Sequence, residues 1–312
     1  MMIWQLLSIV ILLLIYFIYP RISMFGKWLS LSILVLLFGS AFSFIELSLE
    51  RYSPSFIAFF RVFVAFIILS IICIKRNVKF DFVSDNFILL FILGLTGTTF
   101  PFLLISWGQL QLSSSYTGVL IGFMPLFTLL GSHYLNYERL NLKKVMGFII
   151  GFGGLVLLSF DSIINIQDNL VYFMSFLAIV LAAFFYATNA LLVKKILHIG
   201  VLPLSTIVLF FSSIQLVFLL DINEFITLSK NIYAKESISL LVLTLFCTAI
   251  ATLIYYKIIE NYGPNFLSLV NYPVPVVAVI IGVIFLNEVF SYNLVFSLFL
   301  VLWGIFLSRK TS

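Results

Sequence analysis

Charged residues are scarce in this 312-residue chain, and so are cysteine and histidine. Only 9% of the residues are charged, whereas a soluble domain carries roughly a quarter so that its surface is solvated. The two cysteines, Cys73 and Cys247, lie far apart inside apolar runs, which excludes a disulfide scaffold. The low charge and high apolar content also exclude a soluble enzyme and a disordered tail.

Hydrophobic residues make up 63% of the chain, with 36 phenylalanines and a mean hydropathy of +1.22. A soluble core of this size could not enclose so many apolar side chains, so lipid is the expected solvent. The net charge of +5 is spread over short loops, which fits membrane topology better than nucleic-acid binding. We therefore expect the lipid bilayer, and no nucleic acid, as a partner.

A bilayer core of about 30 Å needs about 20 apolar residues in a helix. The alternating pattern of a barrel strand is absent, so the sequence predicts an all-α polytopic membrane protein. Eleven apolar runs are present: 3–19, 28–49, 54–74, 86–108, 114–135, 143–160, 170–193, 202–220, 237–259, 264–287 and 291–308.

The first run belongs to a separate N-terminal segment, residues 1–26. It has no basic start and no small-residue cleavage site, so it does not resemble a signal peptide. An extra transmembrane helix is the favoured interpretation. The alternative is a translated leader, because Met24 would be a plausible start just before Lys27.

Lysine and arginine in the short loops predict the orientation in the membrane. With residue 27 in the cytoplasm, the outer loops hold only Arg51, Lys230 and Lys235, and Arg61 lies within a run. The cytoplasmic side then holds Arg21, Lys27, Lys75, Arg76, Lys79, Arg139, Lys143, Lys144, Lys194, Lys195, Lys257, Arg309 and Lys310. We expect an integral protein of the bacterial cytoplasmic (inner) membrane with a cytoplasmic C-terminus.

The two halves of the chain match each other under one constant shift. The residues in register include Pro125 with Pro275, Glu138 with Glu288, and Gly154 with Gly304. Each half contains five predicted helices, an odd number, so the second copy must cross the membrane upside down. The sequence thus predicts a ten-helix bundle of two inverted five-helix repeats, residues 27–160 and 170–310, an arrangement typical of alternating-access carriers.

Four stretches resemble the motifs of a known family. Residues 37–45 resemble the opening of the EamA domain, and residues 59–63 resemble its second-helix arginine segment. The stretches from Met124-Pro125 to Glu138 and from Tyr272-Pro273 to Glu288 resemble its closing motif in each half. Over residues 27–310 the chain is similar to EamA-type transporters of the drug/metabolite transporter superfamily.

The resemblance implies ten helices, cytoplasmic termini and a central cavity through which a small metabolite, such as an amino acid, is exported or sometimes taken up. It implies a transporter rather than an enzyme, with no cofactor, no metal and no catalytic residue. Glu46 departs from the family, because many members carry a basic residue there. The sequence leaves open a monomer or a homodimer, and the rivals are a receptor or channel and, less favoured, a membrane-embedded enzyme.

Glu46 and Arg61 flank the predicted turn at residues 52–54. In an antiparallel hairpin with 1.5 Å per residue, both lie about 10 Å below the outer surface. A charge at that depth is costly unless it is paired or hydrated. We therefore expect a structural ion pair between them, or alternatively an outer gate.

Prolines inside apolar runs remove backbone donors and free carbonyl groups, so Pro125, Pro273 and Pro275 are candidate hinges. The motif Gly147-x3-Gly151 predicts close helix packing or dimerisation.

Candidate substrate-binding residues are polar or aromatic and near the predicted midplane: Ser40, Thr98, Tyr186, Asn189, Asn271 and Tyr272. If Glu46 and Arg61 neutralise each other, this site suits an uncharged or zwitterionic metabolite.

Overall fold

The chain is all helical in a computed structural model that describes residues 26–135, 142–164 and 170–308, and no strand occurs in these ranges. The helices are α1 (Lys27–Leu49), α2 (Pro54–Lys75), α3 (Val83–Gly94), α4 (Phe100–Gly108), α5 (Ser114–Ile121), α6 (Met124–Tyr134), α7 (Leu142–Ile164), α8 (Leu170–Leu192), α9 (Val201–Val217), α10 (Asn223–Lys230), α11 (Lys235–Thr244), α12 (Ala251–Tyr262), α13 (Pro264–Leu267), α14 (Pro273–Phe285) and α15 (Tyr292–Ser308). The predicted helix at 3–19, Glu138, Arg139, Arg309 and Lys310 lie outside the described residues.

The helices have the length and composition of a polytopic membrane protein. Six segments are long and apolar enough to cross a membrane: Lys27–Leu49, Pro54–Lys75, Val83–Gly108, Ser114–Tyr134, Leu170–Lys195 and Lys235–Tyr262. Three further apolar helices are shorter: Val201–Val217, Leu269–Phe285 and Tyr292–Leu307. Many large apolar side chains lie exposed along these helices, Ile74 and Phe306 among them, as expected of surfaces that face lipid.

Two of the spans are interrupted by a π turn at matching places in the two halves. One π turn, Leu95–Thr99, joins α3 to α4, and the other, Leu245–Ile250, joins α11 to α12. Threonine hydroxyls bond back to the backbone at both: Thr98 donates to the Gly94 carbonyl, and Thr248 donates to the Leu243 carbonyl at 3.0 Å. Such π turns widen a helix locally and are frequent at functional sites.

Helix packing follows a paired pattern. Helices α7 and α15 pack along each other, as do α2 with α9 and α5 with α14. Helix α4 packs on α8, and α11 packs on α1. Helix α6 also packs on α8, and α14 packs on α1. The largest apolar core lies around α1, α2 and the segment Lys235–Tyr262, and a second lies around α5, α6, α7 and α15.

Glycines bring α7 and α15 into close contact within one chain. A Cβ atom on Gly304 would lie 2.7 Å from the backbone nitrogen of Gly151 and would also clash with the Gly147 carbonyl oxygen. The glycines of the Gly147-x3-Gly151 motif therefore serve intramolecular packing, and the dimerisation alternative is not needed to explain them.

We expect Gly304→Val to lower the free energy of unfolding by about 1–3 kcal/mol, because backbone atoms cannot move aside for the new side chain. Gly153→Val is the matched control, since a Cβ there meets nothing within 4 Å. Thermal unfolding in detergent measures both variants. Equal melting temperatures for the two would contradict the close contact.

Candidate functional site

Arg61 is a charged residue buried inside the largest apolar core. Its side chain is on α2 and is 5% exposed. Its Nε donates a hydrogen bond of 3.1 Å to Thr248 Oγ1 in the second π turn. The guanidinium carbon lies 3.7 Å from the centroid of the Phe102 ring on α4, a cation–π contact.

Polar side chains from α1 and α8 complete the surroundings of Arg61. Ser40 Oγ lies 3.7 Å from Sγ of Cys247, and Cys247 directly precedes Thr248 in the chain. Tyr186 and Cys247 lie near Arg61 in the same apolar core. The arrangement brings a cation, aromatic rings and small polar groups together inside the bundle, which suits recognition of a small amphipathic molecule. We refer to Ser40, Arg61, Phe102, Tyr186, Cys247 and Thr248 as the Arg61 cluster.

The ion pair predicted between Glu46 and Arg61 is not formed. Glu46 Oε2 accepts a hydrogen bond of 2.7 Å from the backbone nitrogen of Ser114 on α5, while Arg61 contacts Thr248 and Phe102. Among the described residues no carboxylate forms a salt bridge with Arg61. Counting residues from the turn sets the depth of each charge but not the direction in which it points around its helix. Glu46 points towards α5, and Arg61 points towards α4 and the second π turn.

A second carboxylate meets Glu46 at the start of α5. Glu288 Oε1 accepts a hydrogen bond of 2.9 Å from the Ser114 nitrogen and another from the Ser114 hydroxyl, and its Oε2 accepts from the Ser115 nitrogen at 3.0 Å. Burial alone would raise the pKa of Glu288, but the hydrogen bonds from Ser114 and Ser115 outweigh it and lower that pKa. Glu288 thereby caps the N-terminus of α5, where the helix dipole favours an anion.

Asn189 supports the first π turn. Its Nδ2 donates to the Leu93 carbonyl at 3.0 Å and to Thr96 Oγ1 at 3.2 Å. A Cβ on Gly97 would lie 2.6 Å from that nitrogen, so only glycine lets the turn approach the amide so closely. The Asn189 amide is thus occupied by hydrogen bonds to the first π turn. The sequence did not suggest this structural role.

The other predicted substrate residues are divided between regions. Ser40 and Tyr186 lie in the Arg61 cluster. Thr98 is hydrogen-bonded to Ser212 on α9. Asn271 and Tyr272 lie where a 3-10 turn meets α14, and Tyr272 packs against the second apolar core.

The candidate hinge prolines lie at helix starts rather than inside continuous helices. Pro125 is in the first turn of α6, after a break at residues 122–123. Pro273 is the first residue of α14, and Pro275 is buried in its first turn. A first turn has no need of the N–H that proline lacks, so these positions accept proline without breaking a helix.

Three residues around these groups were not singled out as site residues from the sequence. Thr248 was not among the candidate residues, yet it is Thr248 that contacts Arg61. Phe102 carried no signal, because one phenylalanine among 36 is indistinguishable from core packing. Glu288 appeared as part of the closing motif, but its role as the cap of α5 depends on a contact 174 residues away in sequence.

Comparison with known proteins agrees with the sequence motifs. The EamA-like transporter family matches residues 29–160 and again residues 173–309. An uncharacterized transporter of Archaeoglobus fulgidus is 28% identical over 90% of this chain and 98% of its own length. The uncharacterized transporter YdfC of Bacillus subtilis is 26% identical over 84% of this chain and 83% of its own.

The fold is also similar to a solved one. A crystal structure superposes with a TM-score of 0.61 at 16% sequence identity, covering 90% of this chain and 96% of that one. The family, the transporter relatives and the apolar helices point to an integral membrane transporter and away from an enzyme. The chain belongs to the EamA-like transporter family.

Proposed function

We propose that this protein is a carrier that exports a small polar or amphipathic metabolite, amino-acid-like in character, by alternating access. The observation that carries the proposal is the Arg61 cluster. Ser40, Arg61 and Phe102 come from the first family match, and Tyr186 and Thr248 come from the second, so the cluster spans the contact between the two halves. A site shared by two halves changes its accessibility when they move against each other.

The proposed architecture is a ten-helix bundle of two inverted five-helix repeats. The helix pairs support it, because several of the observed packings are either unchanged when the halves are exchanged or have a counterpart. Under the exchange, α7–α15 and α2–α9 map onto themselves, α4–α8 and α12–α1 replace each other, and so do α6–α8 and α14–α1. The matching π turns support it as well. We propose that Pro125, Pro273 and Pro275 act as hinges, since each follows a helix break.

The proposed location is the bacterial cytoplasmic membrane, with the C-terminus in the cytoplasm. The bias of basic residues towards one set of loops supports this orientation. It places the ion pairs Arg51–Glu236 and Lys235–Glu50 on the outer surface. We propose export as the direction because the family resemblance implies export more often than uptake.

Counterflow in proteoliposomes tests the function. We expect uptake of a labelled amino acid to saturate with concentration and to accelerate when the unlabelled compound is enclosed, because a carrier returns faster when loaded. Protein-free liposomes are the control. Flux that rises linearly without counterflow would indicate a channel, and the absence of flux for all amino acids would contradict the proposed function.

A further inference from the structure

We infer that Arg61 binds the carboxylate of the transported molecule, so the substrate is a small amphipathic monocarboxylate such as a free amino acid or an aliphatic or aromatic carboxylic acid. The inference rests on the proposed transport function and identifies the substrate class of the same site. It replaces the expectation of internal neutralisation by Glu46.

The first step is the absence of a counter-ion for a buried charge. Arg61 is 5% exposed, and among the described residues no carboxylate lies within salt-bridge distance of it. The acidic side chain at a similar depth, Glu46, is held at Ser114 beside Glu288. A buried cation without a partner is costly, and such residues in membrane proteins mark binding sites and ion pathways.

The second step is the set of donors that remains available. A guanidinium has five N–H groups in a planar fork. Thr248 accepts from Nε, and within the described part of the chain this is the one hydrogen bond that the Arg61 side chain donates. The two terminal nitrogens can bind both oxygens of one carboxylate. The Phe102 ring lies 3.7 Å from the guanidinium carbon, a cation–π contact that also stabilises the cation when no ligand is bound.

The third step concerns the rest of the ligand. Tyr186, Cys247 and Ser40 offer an aromatic and weakly polar surface near Arg61. The other lysines and arginines of the described residues lie in loops or within two turns of a helix end. A phosphate or dicarboxylate would therefore find only one cation here, whereas a single carboxylate on an apolar or aromatic body fits the charge of the cluster.

The test compares carboxylates with analogues of similar shape that lack the carboxylate. Purified full-length protein is titrated with phenylalanine, leucine and phenylacetate, and with phenylalanine amide, leucine methyl ester and phenethylamine, while thermal unfolding is followed. A ligand that binds the folded state raises the melting temperature. We expect at least one carboxylate to raise the melting temperature in a saturating manner and the analogue without a carboxylate not to do so. No response to any of the carboxylates would overturn the assigned class.

Variants of Arg61 test whether the response to carboxylates depends on this residue. Arg61→Lys keeps the charge but loses the planar fork, so the apparent Kd should rise at least about 30-fold. Arg61→Met should abolish the response to carboxylates while the ligand-free protein stays as stable as the wild type or becomes more stable, because an unpaired buried charge has been removed. Arg51→Gln is the matched control, since Arg51 pairs with Glu236 at the outer end and should bind like the wild type.

The outcomes separate this inference from the proposed function. If a substrate shows saturable counterflow, and Arg61→Lys and Arg61→Met do not change that counterflow, the role of Arg61 is overturned while the proposed carrier function stands. A ligand-free Arg61→Met protein that unfolds at a much lower temperature would show that Arg61 is a structural residue. Carboxylate binding without any flux would contradict the proposed carrier function and would still support carboxylate binding at Arg61.

Discussion

Glu288→Ala is expected to lower the free energy of unfolding by about 3 kcal/mol, because it removes an acceptor of several hydrogen bonds at the N-terminus of α5. The Ser115 nitrogen would then be buried without that acceptor, and the Ser114 nitrogen would keep only Glu46. Thermal unfolding of the purified protein in detergent measures the loss. Glu288→Gln should cost less, since its amide oxygen still accepts.

Glu50→Ala is the matched control for a surface carboxylate. Glu50 pairs with Lys235 at the surface of the protein, and its side chain is 47% exposed. Exposed ion pairs contribute about 0–1 kcal/mol, so this variant should unfold close to the wild type. If Glu288→Ala and Glu50→Ala had equal small effects, Glu288 would not be the cap of α5.

The pH dependence of unfolding gives a second measurement of Glu288. Its pKa is lowered in the folded protein, so the folded state holds the ionised carboxylate more strongly than the unfolded state does. The stabilisation is therefore present at neutral pH and is lost as the pH falls through the folded pKa. Between about pH 7 and about pH 3, the wild type should lose more stability than Glu288→Gln, with Glu46 as the acidic neighbour common to both.

Asn189→Ala is expected to destabilise the protein by about 1–3 kcal/mol without changing its affinity for the substrate. The substitution removes the donor to the Leu93 carbonyl and to Thr96 at the first π turn, so the cost falls on folding. Thermal unfolding gives the loss of stability, and ligand titration of the same sample gives the affinity.

Asn271→Ala provides the contrast for the original hypothesis that both asparagines bind substrate. We expect it to weaken substrate binding by about 1–3 kcal/mol, the cost of a lost buried hydrogen bond, without unfolding the protein. If Asn189→Ala weakened binding as much while leaving stability intact, Asn189 would be a substrate residue. If neither variant affected binding, the candidate site would not extend to Asn271.

Composition and pattern predicted the membrane environment, the helical class and the EamA family. Low charge, long apolar runs and the motifs around Arg61 and Glu288 are local properties of the chain. Lipid offers no hydrogen bonds, so each membrane helix must satisfy its own backbone, and a long apolar run therefore predicts a helix. Pro125 and Pro273 indicated a local irregularity, but the sequence placed them inside apolar helices, whereas both lie at helix starts. These features need no knowledge of which helix lies beside which.

The contacts of the polar side chains required the tertiary structure. Residue counting placed Glu46 and Arg61 at one depth, but their directions depend on how each helix is rotated about its axis. Packing sets that rotation: Gly304 must lie on Gly151, and Gly118 admits the Ala278 side chain. A buried charge then interacts with whatever the packed neighbours present. Arg61 faces Phe102 and Thr248 instead of Glu46 for this reason, and a rotation of this kind leaves no trace in the sequence of a single helix.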